Sequence, residues 1–200
     1  MLYYKSLGYD GIFITNHFLD GNIGGDRTAS YEEQLRFYFA DYHEAKALEE
    51  EIGIKVFLGV ELSYKGTDFL VFGLSEDWYF AHPEIMSMKR SDELKFLVES
   101  GALVIQAHPF RSASYIDHIR LFPQCVHGIE VINANRRELE NKMADIFCRE
   151  YQLLPFAGSD NHSASAQQRL AGIELDSPVN SVEEFMARIF DQNYKIFTIN

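Results

Sequence analysis

Apolar and polar positions alternate along this chain in two kinds of stretch. Short, nearly continuous apolar runs fall at Gly11-Ile12-Phe13-Ile14-Thr15, at Lys55 to Val60, at Asp68 to Gly73, at Ala102 to Ala107, at Gly128 to Ile132, at Leu154 to Ala157 and at Lys195 to Ile199. Runs this short predict buried strands. Between them lie longer stretches with helical character, at Tyr31 to Glu51, from Ser91 to near Gly101, at Arg136 to Tyr151 and at Val182 to Phe190, preceded by a helix end at Tyr3 to Gly8. Ser30 with Glu33 three residues on predicts a capping box, and Gly101 is a helix-ending glycine. Strands alternating with helices predict an α/β architecture with a mainly parallel sheet. An open sheet and a barrel give the same pattern.

Composition narrows the function classes. The 200 residues fit a single domain over 1–200, with no repeat and no linker-like segment. The longest apolar runs are too short to span a bilayer, and the start has no secretory-signal pattern. Cys125 and Cys148 lack paired spacing and are expected to be reduced thiols in a cytoplasmic protein. Lys and Arg number 18 against 30 Asp and Glu, a net charge of −12. With no basic run, long nucleic acid is disfavoured as a partner.

The chemistry lies at the ends of the strands. The first runs into His17, the second into Glu61, the Ala102 strand into His108, and the Leu154 strand into Asp160 and His162; the Gly128 strand carries Glu130. Each has an ordinary reading: His17 in a turn, Glu61 at a helix N-terminus, His108 capping a loop, Asp160 as an N-cap. Together they are different, because the carboxyl ends of parallel strands share one rim where sites are built. Imidazoles and carboxylates converging there suit Zn²⁺, Mn²⁺ or Fe²⁺.

Four of these strand ends carry recognisable motifs in order: Ile14-Thr15-Asn16-His17, Gly59-Val60-Glu61, Gln106-Ala107-His108-Pro109 and Gly158-Ser159-Asp160-Asn161-His162. They resemble the Thr-Asp-His, bridging-glutamate, Ala-His-Pro and Gly-Ser-Asp-x-His motifs of the PHP (polymerase and histidinol phosphatase) phosphoesterases. The resemblance runs from Leu7 to about Gly172. It implies a distorted (β/α)7 barrel with up to three divalent ions at the strand ends. By that similarity Glu61 bridges two metals, His108 binds one of them and Glu130 is a further ligand. Asp160 binds another, and His17 and His162 share a third. Glu61, His108 and Asp160 would carry the catalytic centre, with a metal-bound hydroxide attacking the phosphorus of a small phosphomonoester or short nucleotide.

Two departures from that family pattern stand out. The family's opening strand with His-x-His has no counterpart, so the chain is expected to be a truncated product. Fewer than three metals, impaired activity and exposed strand edges open to self-association are expected with it. Asn16 also stands where the family has Asp. A noncatalytic metal-binding or scaffold domain, and a nuclease or 5′-phosphatase acting on oligonucleotide ends, are the alternative functions. Arg111, two residues past Pro109, is the candidate phosphate ligand, with Arg27, Arg136 and Arg137 weaker on the same logic. His43, His82, His118 and His127 read as structural or surface residues. The loop Gly21 to Gly25 reads as a cover near the site.

Overall fold

The apolar runs do become strands. The computed structural model describes residues 1–199. In chain order the elements are α1 (Leu2–Ser6), β1 (Gly11–Ile14), α2 (Tyr31–Ala47), α3 (Glu49–Ile52), β2 (Lys55–Tyr64), β3 (Thr67–Phe72), α4 (Glu76–Ala81), α5 (Arg90–Glu99), β4 (Leu103–Ala107), β5 (Gly128–Asn133), α6 (Glu138–Glu150), β6 (Leu154–Gly158), β7 (Leu170–Glu174), α7 (Val182–Phe190) and β8 (Lys195–Ile199). The Ser30 capping box forms, with Glu33 reaching back to the Ser30 N–H at 2.9 Å. The long helix breaks at Leu48, so Tyr31 to Glu51 is two helices rather than one.

Strands β1 to β6 form one sheet in sequence order, and β7 and β8 form a separate antiparallel ribbon. The mainly parallel expectation needs correcting at β3. Strands β1–β2, β4–β5 and β5–β6 pair in parallel, but β3 runs antiparallel to both β2 and β4. The cause is local. Lys65 and Gly66 both have positive φ (51° and 81°), the geometry of a two-residue hairpin turn whose twist matches the flanking strands. A two-residue loop can only return the chain antiparallel. The expectation is a seven-stranded barrel lacking its first strand; the structure has six strands in one sheet beside a two-stranded ribbon, and β7 is not among the expected strands. Among the described residues β1 pairs only with β2.

Both faces of the sheet are covered, which is why apolar residues fill both faces of its central strands. On one face Val60, Leu62, Phe69, Val71 and Val104 pack with Leu35 and Phe39 of α2, Tyr79 of α4, Leu94 and Leu97 of α5, and Phe147 of α6. On the other, Leu70, Phe72, Leu103, Ile105 and Phe156 pack with Phe185 and Ile189 of α7. Consecutive residues of β3 therefore serve opposite cores, as the two-residue period of a strand requires. Phe72 sits in an aromatic group with Phe13, Phe156 and Phe185, at 4.8, 5.6 and 6.2 Å between ring centres. Phe72→Ala is expected to cost about 3–5 kcal/mol, since the surrounding rings cannot collapse into the space. Chemical denaturation checks it; a loss under about 1 kcal/mol would mean that this side of the sheet is not a packed core. No described helix is long and apolar enough to cross a membrane.

Candidate metal centre

The ends of β1, β4, β5 and β6 and the middle of β2 meet at one rim. Beyond β1 the chain stays stitched to β2: the Glu61 N–H donates to the Asn16 carbonyl at 3.1 Å, and the Phe18 N–H donates to the Glu61 carbonyl at 2.7 Å. His17 and Glu61 are therefore bridge partners. Nδ1 of His17 lies 3.1 Å from Oε2 of Glu61, while Oε1 of Glu61 lies 3.6 Å from Nε2 of His108. The two oxygens of one buried carboxylate thus face two different imidazoles.

Glu130 and Asp160 stand on the other side of His108. The His108 backbone N–H donates to Oε2 of Glu130 at 2.9 Å. The Asn133 amide donates to the same oxygen at 2.9 Å and to Oδ2 of Asp160 at 3.3 Å, tying the two carboxylates together. His162, more exposed, reaches Oδ1 of Asp160 with Nδ1 at 3.2 Å, and its ring centre is 6.1 Å from that of His17. All six proposed ligands of the sequence reading are gathered at this rim. A Cβ at position 158 would stand 2.7 Å from Oε1 of Glu130, so only glycine leaves that carboxylate its place.

Two residues of this set have backbones that L-residues rarely adopt: His108 at φ 27° and Asp160 at φ 46°. His108 also precedes Pro109, which narrows its choices further. Strain of this kind persists where surrounding structure holds it, and it collects at functional sites.

Asp68 belongs to the same group, and the sequence reading missed it. Its Oδ2 is 3.6 Å from Nε2 of His108, and His17, Glu61 and Asp68 offer ligand atoms within 4.8 Å of one another. Only in parallel strands do the carboxyl ends share a rim. Because β3 runs the other way, its beginning is what lies at the rim. The signal was there in Lys65-Gly66, a hairpin turn directly ahead of Thr67-Asp68. Asn133 was missed too; an amide three residues after Glu130 gave no pattern to read.

The donors suit a divalent ion. Nε2 of His108 sits 3.6 Å from both Glu61 and Asp68, too far for good hydrogen bonds. That separation is close to the ~3.4 Å that two ligands adopt on one tetrahedral ion with bonds of about 2.1 Å. Nδ1 of the same ring is buried with no partner. Burial disfavours the charge on His108, but Glu61, Glu130 and Asp68 outweigh it and hold the pKa up at about 9. Burial pushes Glu130 the other way, up to about 7, against the pull of His108 and Asn133. Buried acids and a protonated imidazole crowded together are what a metal site looks like when protons stand in for the ions.

The remaining candidates scatter. Arg111 reaches the rim, with Nη1 3.5 Å from Asp68 and its guanidinium over the Tyr115 ring. Arg136 comes within 3.6 Å of Asp160. Arg27 instead clasps its own loop through the carbonyls of Leu19, Gly21 and Ile23, and Arg137 pairs with Glu140. Asn16 turns from the rim and donates to Asp41 of α2 at 2.9 Å, where an aspartate would set two carboxylates face to face. His43 and His82 pair with Glu76 and Glu84, and His127 accepts from the Val104 N–H at 3.2 Å. A cleft of about 1390 Å³ runs from Phe13, Phe72 and Phe156 past the free side of β1 up to His17, Glu61, His108 and Asp160.

No protein-family model matches the sequence, and no curated protein matches it. Solved structures do. A two-domain protein from Bacteroides vulgatus containing a predicted PHP-like metal-dependent phosphoesterase superposes with a TM-score of 0.65 at 16% identity, covering 95% of this chain and 56% of that one. PsfC from Pseudomonas syringae gives 0.62 at 15% identity, over 98% and 79% of the two chains. A protein from Bifidobacterium adolescentis assigned as a metal-dependent phosphoesterase gives 0.55 at 13%, over 95% and 88%. This chain thus spans little more than half the length of the first of these. Its fold is the one found in PHP-like metal-dependent phosphoesterases.

Proposed function

We propose that this protein hydrolyses a phosphomonoester of a small molecule or short nucleotide at a divalent-metal site formed by His17, Glu61, Asp68, His108, Glu130, Asp160 and His162. The observation that carries the reading is Glu61, whose two oxygens face His17 and His108 with Asp68 beside them. Divalent ions bound there would supply positive charge to phosphoryl oxygens and lower the pKa of a water. The chain's own part is to hold those ions with buried carboxylates and to seat the phosphate. Arg111 and Arg136 stand on opposite sides of the rim, beside Asp68 and Asp160, where a phosphate drawn to the ions would meet a guanidinium. The net charge of −12 favours a small substrate over a long polyanion.

The test is metal analysis of the purified protein together with a phosphatase screen against sugar phosphates, nucleotides and 5′-phosphorylated oligonucleotides, with Mn²⁺ or Zn²⁺ added. Metal-dependent release of phosphate from the small substrates supports the reading. Metal retained with no turnover on any substrate favours the noncatalytic domain, and turnover confined to oligonucleotide ends favours the nuclease-like alternative. Arg111→Ala is expected to weaken inorganic phosphate binding to the metal-loaded protein by about 10- to 150-fold, the loss of a charge-assisted contact of ~1.5–3 kcal/mol. Metal affinity should change far less. Unaltered phosphate affinity would return Arg111 to a role in holding Asp68.

A further inference from the structure

A charged cluster centred on the buried side chains of Arg90 and Glu93 lies behind the rim, outside the ligand set. Arg90 opens α5, and its side chain is only 9% exposed. Nη2 donates to Oδ2 of Asp20 at 2.5 Å and to the Ser63 carbonyl at 3.0 Å, and Nη1 lies 2.9 Å from Glu93. Asp20 in turn accepts the Ser63 backbone N–H at 3.1 Å. The Ser63 hydroxyl lies 3.3 Å from Nδ1 of His17. The turn that carries Asp20 is pressed hard against this point: a Cβ at position 21 would stand 2.7 Å from Cβ of His17 and 2.8 Å from the Ser63 hydroxyl.

We propose that Asp20, Arg90 and Ser63 form a clasp that sets the position and ring orientation of His17 against Glu61. Asp20, Arg90 and Ser63 act as positioning residues, through His17. The inference rests on the reading of His17 and Glu61 as metal ligands. A buried guanidinium between two carboxylates is poor value as stabilisation, because apolar side chains of similar volume usually pack as well. What it does supply is direction. Arg90 holds Asp20 and the Ser63 carbonyl at once, so the segment from His17 to Gly21 is fastened to the far end of β2 rather than resting on it. Burial pushes the Glu93 carboxyl up to about 7, against the pull of Arg90. Groups that orient a ligating imidazole from behind are known to tune metal affinity by about 10- to 100-fold.

The experiment uses the full chain, with Asp20→Asn, Ser63→Ala and a core control, Ile189→Ala, which removes packing of α7 on the opposite face of the sheet, away from the clasp. The ¹⁵N shifts of the His17 ring are read by NMR in the metal-free protein, and Co²⁺ affinity is read by titration of its visible absorption. Moved His17 ring shifts in the two clasp variants, with Co²⁺ binding weakened about tenfold or more and an altered absorption envelope, support the proposal. His17 shifts that stay at wild-type values in both clasp variants overturn it. So does a Co²⁺ affinity reduced no further than in Ile189→Ala. If the wild-type protein takes up no Co²⁺, the metal reading is what fails, and the NMR comparison still decides whether the clasp sets the ring.

Discussion

Glu61→Gln is expected to abolish phosphoester turnover and to release most of the bound metal while leaving the fold in place. The carboxylate faces both His17 and His108, through separate oxygens at 3.1 and 3.6 Å. On the proposed reading, neutralising it would remove a negative charge from the ion-binding group, and an amide nitrogen cannot act as the second donor. Two charge-assisted contacts at ~1.5–3 kcal/mol each correspond to a loss of roughly 10²- to 10⁴-fold in affinity. The backbone of residue 61 stays bonded to Asn16 and Phe18, so the strand itself is not disturbed. Metal stoichiometry and initial rates, measured beside a melting curve, check this. Full stoichiometry with full activity would place the metal site elsewhere.

The second large effect is the pH dependence of metal binding. In the metal-free protein His108 keeps its proton up to about pH 9 and Glu130 up to about pH 7. A ligating imidazole must be neutral and a ligating carboxylate ionised, so an ion displaces those protons. Affinity therefore rises with pH. Between about 7 and 9 one proton is displaced, and the dissociation constant should fall about tenfold per pH unit; below 7 the second proton steepens the slope. The sign for the metal-free protein is the reverse. A histidine raised above its ordinary value contributes stability below about pH 6.5, and that contribution is lost as the pH climbs through 9. A carboxylate raised to about 7 likewise stabilises the metal-free fold at low pH and gives this up between roughly 4.5 and 7. The metal-free protein should thus lose stability from about pH 5 to 9 as its capacity for metal grows. Saturating metal at 100 times the dissociation constant should then restore about 2.7 kcal/mol. Titrations at pH 6, 7 and 8, with melting curves with and without chelator, read both trends. A flat affinity over that range would show that neither His108 nor Glu130 meets the ion.

These expectations depend on residues that differ in how far the chain itself reveals them. Glu130 was legible as the one charge inside an apolar run, and His17, His108 and Asp160 because each follows such a run. Runs of that kind in parallel strands deliver their carboxyl ends to one rim. Glu61 was legible by the same rule, although β2 continues past it to Tyr64. The hydrophobic pattern is local, and it needs no partner strand to be read. The α/β class, the capping box at Ser30 and the positions of most strands follow from it. Strand direction is not local in that sense. Asp68 reaches the rim only because β3 turns back at Lys65-Gly66, and with it come the contacts to His108 and Arg111. The partners of the site are further still from any pattern. Asn16 finds Asp41 on α2, and Arg90, seventy residues beyond Asp20, is brought beneath His17 by the packing of α5 against the sheet. Apolar periodicity says that a face will be buried. Which charged side chains meet across the buried space is decided when strands choose their neighbours and register, since buried charges must then find partners among whatever the packing brings near.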